Sequence, residues 1–383
     1  MSPPQPRRPA RAAAEDGPRT PADRVRARAR ALGFDAVGFA RADVPLGEEM
    51  ERYEAFLAAG MHAEMSYLAE HADVRRRLDT PHVLEGARTV VCLARRYAPG
   101  AREDDGEVAP LIARYARGRD YHNFLRKKLR RIAAFLRSLP SPVPIRARPL
   151  CDDAPLLERA WAARAGLGFI GKNGLLIVPG QGSFVLLGEV VTTLEIPPDE
   201  PLAGRCGACT LCLDACPTKA FARPFVLDAR RCISYWTIEH RGAIPEAGRA
   251  AIGDHLFGCD VCQEVCPFNA APKDMSEPAA RPFRPGAELR EFSLAGLLEP
   301  GPNHPASAEG SPLKRAGPEG LARNAAIVLG NRGDPEAIPA LQRAAEGHPS
   351  PAVREAASWA LRQMAPLQAP LSSGGGACAG ADA

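Results

Sequence analysis

The cysteine run Cys206-Gly-Ala-Cys209-Thr-Leu-Cys212-Leu-Asp-Ala-Cys216-Pro217 constrains this chain more than any other stretch. Its C-x2-C-x2-C-x3-C-P spacing lets three close thiolates take three corners of one 4Fe–4S cube, while a short turn carries the fourth to a different cluster. The motif therefore calls for more cysteines. Cys259-Asp-Val-Cys262-Gln-Glu-Val-Cys266-Pro267 repeats its second half, and Cys232 stands alone between the two runs. Crossed ligation gives one cluster on Cys206, Cys209, Cys212 and Cys266, and the other on Cys216, Cys232, Cys259 and Cys262. Structural zinc would want paired C-x2-C knuckles with four ligands each. Two C-x3-C-P endings and a three-cysteine run fit clusters better. Cys92, Cys151 and Cys378 are left over. Cys92, inside Thr89-Val90-Val91-Cys92-Leu93, reads as a small buried core residue.

The 383 residues leave room for about two or three domains. Hydrophobic content of 45% and charged content of 25% are ordinary for a globular chain. A net charge of +4 is too mild to argue by itself for nucleic acid. No apolar run approaches the roughly 18 residues of a membrane span, and the N-terminus lacks the apolar region of a secretory signal. Thiolate-bound clusters favour a reducing compartment. The chain reads as cytoplasmic, with no membrane partner, and a monomer is expected.

Residues 1–20, rich in Pro, Arg and Ala, read as a disordered tail. A catalytic domain is expected over 21–198. Its helices are expected from Pro21 to Leu32 and from Glu48 to Ala59, and its strands from Phe34 to Ala40 and from Arg88 to Leu93. The segment after Asp120 makes a helix whose apolar positions Phe124, Leu125, Leu129 and Ile132 form one face. Its other face carries Arg126, Lys127, Lys128, Arg130 and Arg131, either as a solvated surface or as a phosphate-binding one.

Two stretches mimic known sites. Asp120-x-His122 starts like the D-x-H-x-x-G signature of histidine-ligated cobalt, but Leu125 stands where glycine is needed. Gly166-Leu-Gly168-Phe-Ile-Gly171-Lys172-Asn173 satisfies G-x-G-x-x-G and nearly a P-loop. Both phosphate motifs require a strand before the glycines and a helix after them. Here a helix is expected over Pro155–Ala165 and a strand over Leu175–Val178, so both are excluded. A further strand is expected over Val185–Thr193.

A Pro-rich linker around Pro197–Pro201 leads into a two-cluster domain over 199–290, followed by a helical domain over 291–365. In the latter, Leu321–Leu329 and Val353–Leu361 match at a spacing of 32 residues, and Gly333–Leu341 supplies the partner helix. Such alanine-rich pairs resemble HEAT-like repeats. Residues 366–383 read as a second disordered tail.

Taken together, these stretches resemble the epoxyqueuosine reductase family over about residues 25–365. The marks are Gly60–Leu68, Arg114–His122, Asp152-Asp-Ala-Pro-Leu-Leu-Glu-Arg159, Gly166–Asn173, Cys232-Ile-Ser-Tyr-Trp-Thr-Ile-Glu239 and Phe257–Pro267. The resemblance implies an α+β fold: a nitroreductase-like cobalamin-binding domain, a bacterial ferredoxin-like domain with two 4Fe–4S clusters and a C-terminal HEAT-like repeat. It implies reduction of epoxyqueuosine to queuosine at the wobble base of tRNA, with base-off cobalamin that has no protein ligand to cobalt. An unidentified low-potential donor would feed the clusters.

The family's proton donor falls on Asp152, next to Asp153 where the family usually has Ser or Thr. If both carboxylates point inward, repulsion should raise the proton affinity of Asp152. Helix capping is the alternative for both, with Pro155 in the first turn, while Glu158 reads as structural. Candidate cobalamin contacts are Tyr115, Tyr121, His122, Asp152, Arg159, Lys172, Asn173 and Ser234, with Lys172 and Asn173 on a glycine loop near the corrin. Candidate tRNA contacts are Arg126, Lys127, Lys128, Arg130, Arg131, Tyr235, Thr237, Arg323 and Arg354, with Arg332 and Arg343 on the same helical end. A reductive dehalogenase-like corrinoid enzyme and a ferredoxin-type electron carrier are the rival readings.

Overall fold

The computed structural model describes residues 20–97, 105–270, 275–301, 304–307 and 309–365. The expected tails, with Cys378, lie outside these residues except for Thr20. That residue caps helix α1 (Pro21–Ala31) in a reciprocal box: its hydroxyl accepts from the Asp23 amide at 3.2 Å, and the Asp23 carboxylate accepts from the Thr20 amide.

Strands β1 (Ala36–Arg41), β2 (Thr89–Arg96), β3 (Ala147–Leu150) and β6 (Val185–Thr192) form one antiparallel sheet in the order β1-β2-β6-β3. Strands β4 (Phe169–Ile170) and β5 (Leu176–Ile177) make a separate hairpin, and β7 (Phe221–Arg223) with β8 (Val226–Leu227) another. The sheet is covered on both faces, which explains its unbroken apolar runs. On one side α1 and α3 (Tyr121–Arg137) bury Val25, Leu125, Leu129 and Ile132 against Val91, Leu93, Leu186 and Val190. On the other, Trp161 and Ala162 of α4 (Glu158–Arg164) pack against Val90, Cys92, Leu187 and Val191. Helix α2 (Glu48–Ala58) adds Met50 to that second core. Cys92 is fully buried, as expected.

Helix α4 starts later than expected. Leu157 occupies its N-cap position without a side-chain bond, and Pro155 lies in the turn before it. Asp152 and Asp153 therefore cap no helix. A helix precedes the glycine-rich segment, which itself carries β4 and leads into β5 rather than a helix, so the exclusion of both phosphate motifs holds.

The helices Gly317–Arg332, Ile338–Gly347 and Pro351–Met364 form the expected C-terminal stack. Their core is continuous with Ile233, Trp236, Leu256 and Phe257 of the cluster region, and with Val108 and Ile112 from the loop ahead of α3. Between the clusters' cysteines, Tyr235–Glu239 winds as a single π-helical turn. Among the described residues no helix is long and apolar enough to cross a membrane.

Candidate active site

Asp152 follows strand β3 on a turn where its own φ is 54°, a left-handed conformation that costs a non-glycine residue strain. Three neighbours hold it there. The Tyr121 hydroxyl donates to Asp152 Oδ2, His122 Nε2 lies 3.4 Å from the same oxygen, and the Asp152 amide donates to Glu158 Oε1 at 2.9 Å. Tyr121 and His122 open α3, whose N-cap Asp120 accepts from the His122 amide at 3.0 Å and contacts His122 Nδ1 at 2.6 Å. The two rings stack at 4.1 Å. Both imidazole nitrogens therefore face carboxylates, and neither is free to ligate a metal.

Electrostatics separate the carboxyls. Partial burial disfavours the Asp152 carboxylate, but bonds from His122 and Tyr121 outweigh it and hold its pKa below the usual range. Burial opposes charge on His122, but Asp152 and Asp120 overcome that and raise its pKa. Burial, followed by the charges of Glu189 and Asp152, pushes Glu158 well up. Glu189, on β6, is pushed well up by burial and then by Asp152. The expected repulsion from Asp153 does not set the site: Asp153 Oδ1 accepts from the Cys151 amide at 2.9 Å and Oδ2 turns to Arg126 at 3.4 Å. The residue the sequence reading missed is Glu189. Its signal was a charged side chain inside the apolar run Val185–Thr192.

The eight cysteines are all free thiols, and they influence one another in two groups. Burial raises the Cys212 thiol, with Cys206, Cys266 and Cys209 adding to it. Burial raises Cys266, with Cys206 and Cys209 adding. In the second group burial pushes Cys259 up to about 12, with Cys232 and Cys216 contributing. Cys262 feels burial first, then Cys259 and Cys232, with Cys212 of the other group last among its neighbours. An all-thiol donor set fits 4Fe–4S cubes.

The remaining cofactor candidates divide. Tyr115 packs edge-on to Tyr121 at 6.2 Å and against Phe257 at 6.4 Å, forming an aromatic path from Asp152 toward Cys259. Lys172 and Asn173 serve the cluster loops: Lys172 Nζ donates to the Gly207 and Cys209 carbonyls at 2.7 and 2.9 Å, and Asn173 Nδ2 to Cys262 O at 3.3 Å. Their loop is glycine-rich for internal packing. A Cβ on Gly168 would meet Ile177 O at 2.2 Å, and one on Gly171 would meet Ile177 Cδ1 at 2.6 Å. Arg159 reaches the Gly174 carbonyl of that loop. Burial raises the Cys232 thiol, and bonds from Tyr235 and Ser234 offset only part of that.

Several tRNA candidates are structural. Arg323 is 2% exposed and donates to the carbonyls of Trp236, His240 and Gly242 at 2.7–3.0 Å, so it pins the π-helical turn. Thr237 is fully buried, donating to Ile233 O and accepting from the Gly258 amide. Buried Tyr235 donates to Glu64 at 3.1 Å. Arg354 serves the carbonyls of His348 and Pro349, and Lys128 that of Leu32. Arg332 pairs with Asp254, and Arg343 with Glu299. Arg126 faces Asp153. Lys127, Arg130 and Arg131 remain exposed on α3.

Eight cluster-spaced thiols and a strained, hydrogen-bonded carboxyl on the sheet domain point to the class of iron–sulfur oxidoreductases. Known proteins agree. Residues 205–269 match the 4Fe-4S double cluster binding domain, 77–153 match Epoxyqueuosine reductase QueG, DUF1730, and 313–371 match HEAT repeats. The epoxyqueuosine reductase of Pseudomonas aeruginosa is 43% identical over 87% of this chain and 92% of its own length. That of Escherichia coli is 36% identical over 87% and 86%. The crystal structure of epoxyqueuosine reductase with a tRNA-Tyr epoxyqueuosine-modified tRNA stem loop is 31% identical, covers 90% of both chains and gives a TM-score of 0.81. The Streptococcus thermophilus enzyme, at 29% identity and 90% of both chains, gives 0.78. This chain belongs to the epoxyqueuosine reductase family.

Proposed function

We infer that the chain reduces epoxyqueuosine to queuosine in tRNA, with Asp152 as the proton donor. Family membership supports the reaction. The observation that carries the residue assignment is the Asp152 carboxyl, held by Tyr121 and His122, on a residue whose amide is linked through Glu158, Arg159, Gly174 and Asn173 to the Cys262 loop.

Converting an epoxide to an alkene removes one oxygen as water and consumes two electrons and two protons. The eight thiols would hold two 4Fe–4S clusters, which pass electrons singly from a low-potential donor. The residues around Asp152 fit a cobalamin bound without a protein ligand to cobalt, since both nitrogens of His122 are committed. Tyr115, Tyr121, His122 and Asp152 would line it on a nitroreductase-like sheet domain, with Arg159 and Ser234 toward its edges. Bound there, reduced cobalamin supplies a strongly nucleophilic cobalt for opening the carbon–oxygen bond. Asp152 takes up a proton before the reaction and delivers it to the departing oxygen. Tyr121 and His122 hold the carboxyl in place, and they stabilise its charge after the proton leaves. Lys172 and Asn173 keep the cluster loops against this wall. Lys127, Arg130 and Arg131 are proposed to contact the RNA backbone.

The test is anaerobic turnover of an epoxyqueuosine-bearing stem loop by cluster-loaded protein supplied with cobalamin and a strong reductant. The expected product has lost one oxygen by mass, and the bound corrin shows its absorption band. Cluster-loaded protein that binds no corrin and leaves the epoxide intact overturns the reading.

A further inference from the structure

Glu189 has no part in the scheme above. It stands mid-strand in β6, opposite Cys92 of β2 and Leu150 of β3. It has no exposed surface, and neither carboxyl oxygen accepts from an N–H or hydroxyl donor among the described residues. Leu187 and Val191, its mates on the same strand face, lie in the core that holds Trp161 and Ala162 of α4. The titratable groups around it are Glu158 from α4, Asp152 and Asp153 from the turn, and the thiols of Cys92 and Cys151. All of them are acids. Arg159 acts on Glu158 and Asp152, and His122 on Asp152, so the nearby cations are spent on the outer carboxyls.

A buried carboxylate with neither a cation nor a donor costs several kcal/mol and takes up a proton instead. Glu189 is therefore a neutral acid. Glu158 is the link outward: its carboxyl is close enough to share a proton with that of Glu189, and each alters the other's proton affinity. On its other side Glu158 accepts from the Asp152 amide at 2.9 Å.

We propose that Glu189 and Glu158 form a buried proton reserve that refills Asp152 within one turnover. The reaction consumes two electrons, supplied through the clusters, and two protons, while Asp152 carries one proton at a time. After the first has gone to the epoxide oxygen, Glu158 passes its proton to Asp152, and Glu189 passes its own to Glu158. The second proton completes the departing water. Substrate lying over the half-exposed Asp152 raises its proton affinity and favours this outward direction. Solvent restores the missing proton through Asp152 once product leaves. The reserve rests on Asp152 being the donor.

The experiment uses the anaerobic holoenzyme and its Glu189→Gln variant. Gln copies the shape and neutrality of the protonated acid but has no proton to give. The infrared difference spectrum at neutral pH is expected to show protonated-carboxyl carbonyl stretches in the wild type, of which the variant loses the Glu189 component and keeps that of Glu158. The variant is expected to lose about tenfold or more in kcat, with KM for the RNA substrate unchanged and an altered pH profile. An ionised Glu189, or a variant with wild-type kcat and pH profile, overturns the proposal. Carbon-isotope-labelled glutamate identifies the band in unmutated protein should the variant fail to fold. Failure of the donor assignment is distinguishable, because it appears as full activity in Asp152→Asn while the Glu189 band persists.

Discussion

The Nε2 atom of His122 lies 3.4 Å from Oδ2 of Asp152, and the same imidazole presents Nδ1 to Asp120 at 2.6 Å. This bridge lowers the proton affinity of Asp152 while raising that of His122. The resting acid is thus ionised at neutral pH and depends on the protons around it. Asp152→Asn is expected to lower turnover at least about a hundredfold, with iron content and RNA affinity retained. Single-turnover rates beside iron analysis and RNA titration check this. Loss that follows folding stability would mean that the carboxyl only shapes the turn.

Cys232 sits apart from both cysteine runs yet shares its electrostatic group with Cys216, Cys259 and Cys262. Reconstituted protein should bind about eight irons, following two four-iron cubes. Cys232→Ala should lose about half of them and leave the Cys206, Cys209, Cys212 and Cys266 cluster spectroscopically intact. Iron and sulfide analysis with electron paramagnetic resonance decides it. Stoichiometric zinc without labile sulfide would overturn the assignment.

Legibility followed the range of the interactions. The double-cluster domain was readable because cluster geometry dictates local cysteine spacing, and α3 because its apolar residues recur at helical period. The HEAT-like helices were readable from their alanine repeat. What escaped depended on tertiary partners. The side chain of Arg323 is indistinguishable in sequence from a phosphate-binding arginine, and only the π-helical turn and the residues just after it supply the carbonyls that consume it. The close packing of Gly168 and Gly171 on Ile177 is a tertiary contact that glycine spacing alone does not show. Glu189 was visible as a charge in an apolar strand, but its carboxyl neighbours come from a turn and a helix more than 30 residues earlier.

Glu189 should also shape the pH dependence of stability. Its folded pKa lies well above the unfolded value, so between the two the folded state binds more protons than the unfolded state. Stability is then lost as pH rises, by about 1.4 kcal/mol per pH unit for each such group, until the folded pKa is reached. Glu189→Gln removes one group from this slope. Its apparent unfolding midpoint should exceed that of the wild type increasingly from weakly acid to alkaline pH. Parallel midpoint curves for the two proteins would place the Glu189 proton affinity in the ordinary range.

Two kinds of arginine can be told apart by what their removal does. Arg323→Ala leaves three main-chain carbonyls, of Trp236 in the π-helical turn and of His240 and Gly242 just after it, without this donor. It should cost about 3 kcal/mol, the scale of breaking a buried polar network. By contrast, Lys127, Arg130 and Arg131 are exposed and have no ion-pair partner among the described residues. Spaced at 127, 130 and 131, they share one face of α3, the helix whose first residues hold Asp152. Phosphate contacts there would set the register of the RNA without reading its sequence. Binding should then weaken steeply with salt. Glu substitutions at these positions should leave thermal stability nearly unchanged and raise KM for tRNA severalfold, with kcat at saturating RNA preserved. Fluorescence titration across a salt series and steady-state kinetics test this directly. Salt-independent binding, or unchanged KM in the triple variant, would mean that this face is only solvated and that the RNA backbone lies elsewhere.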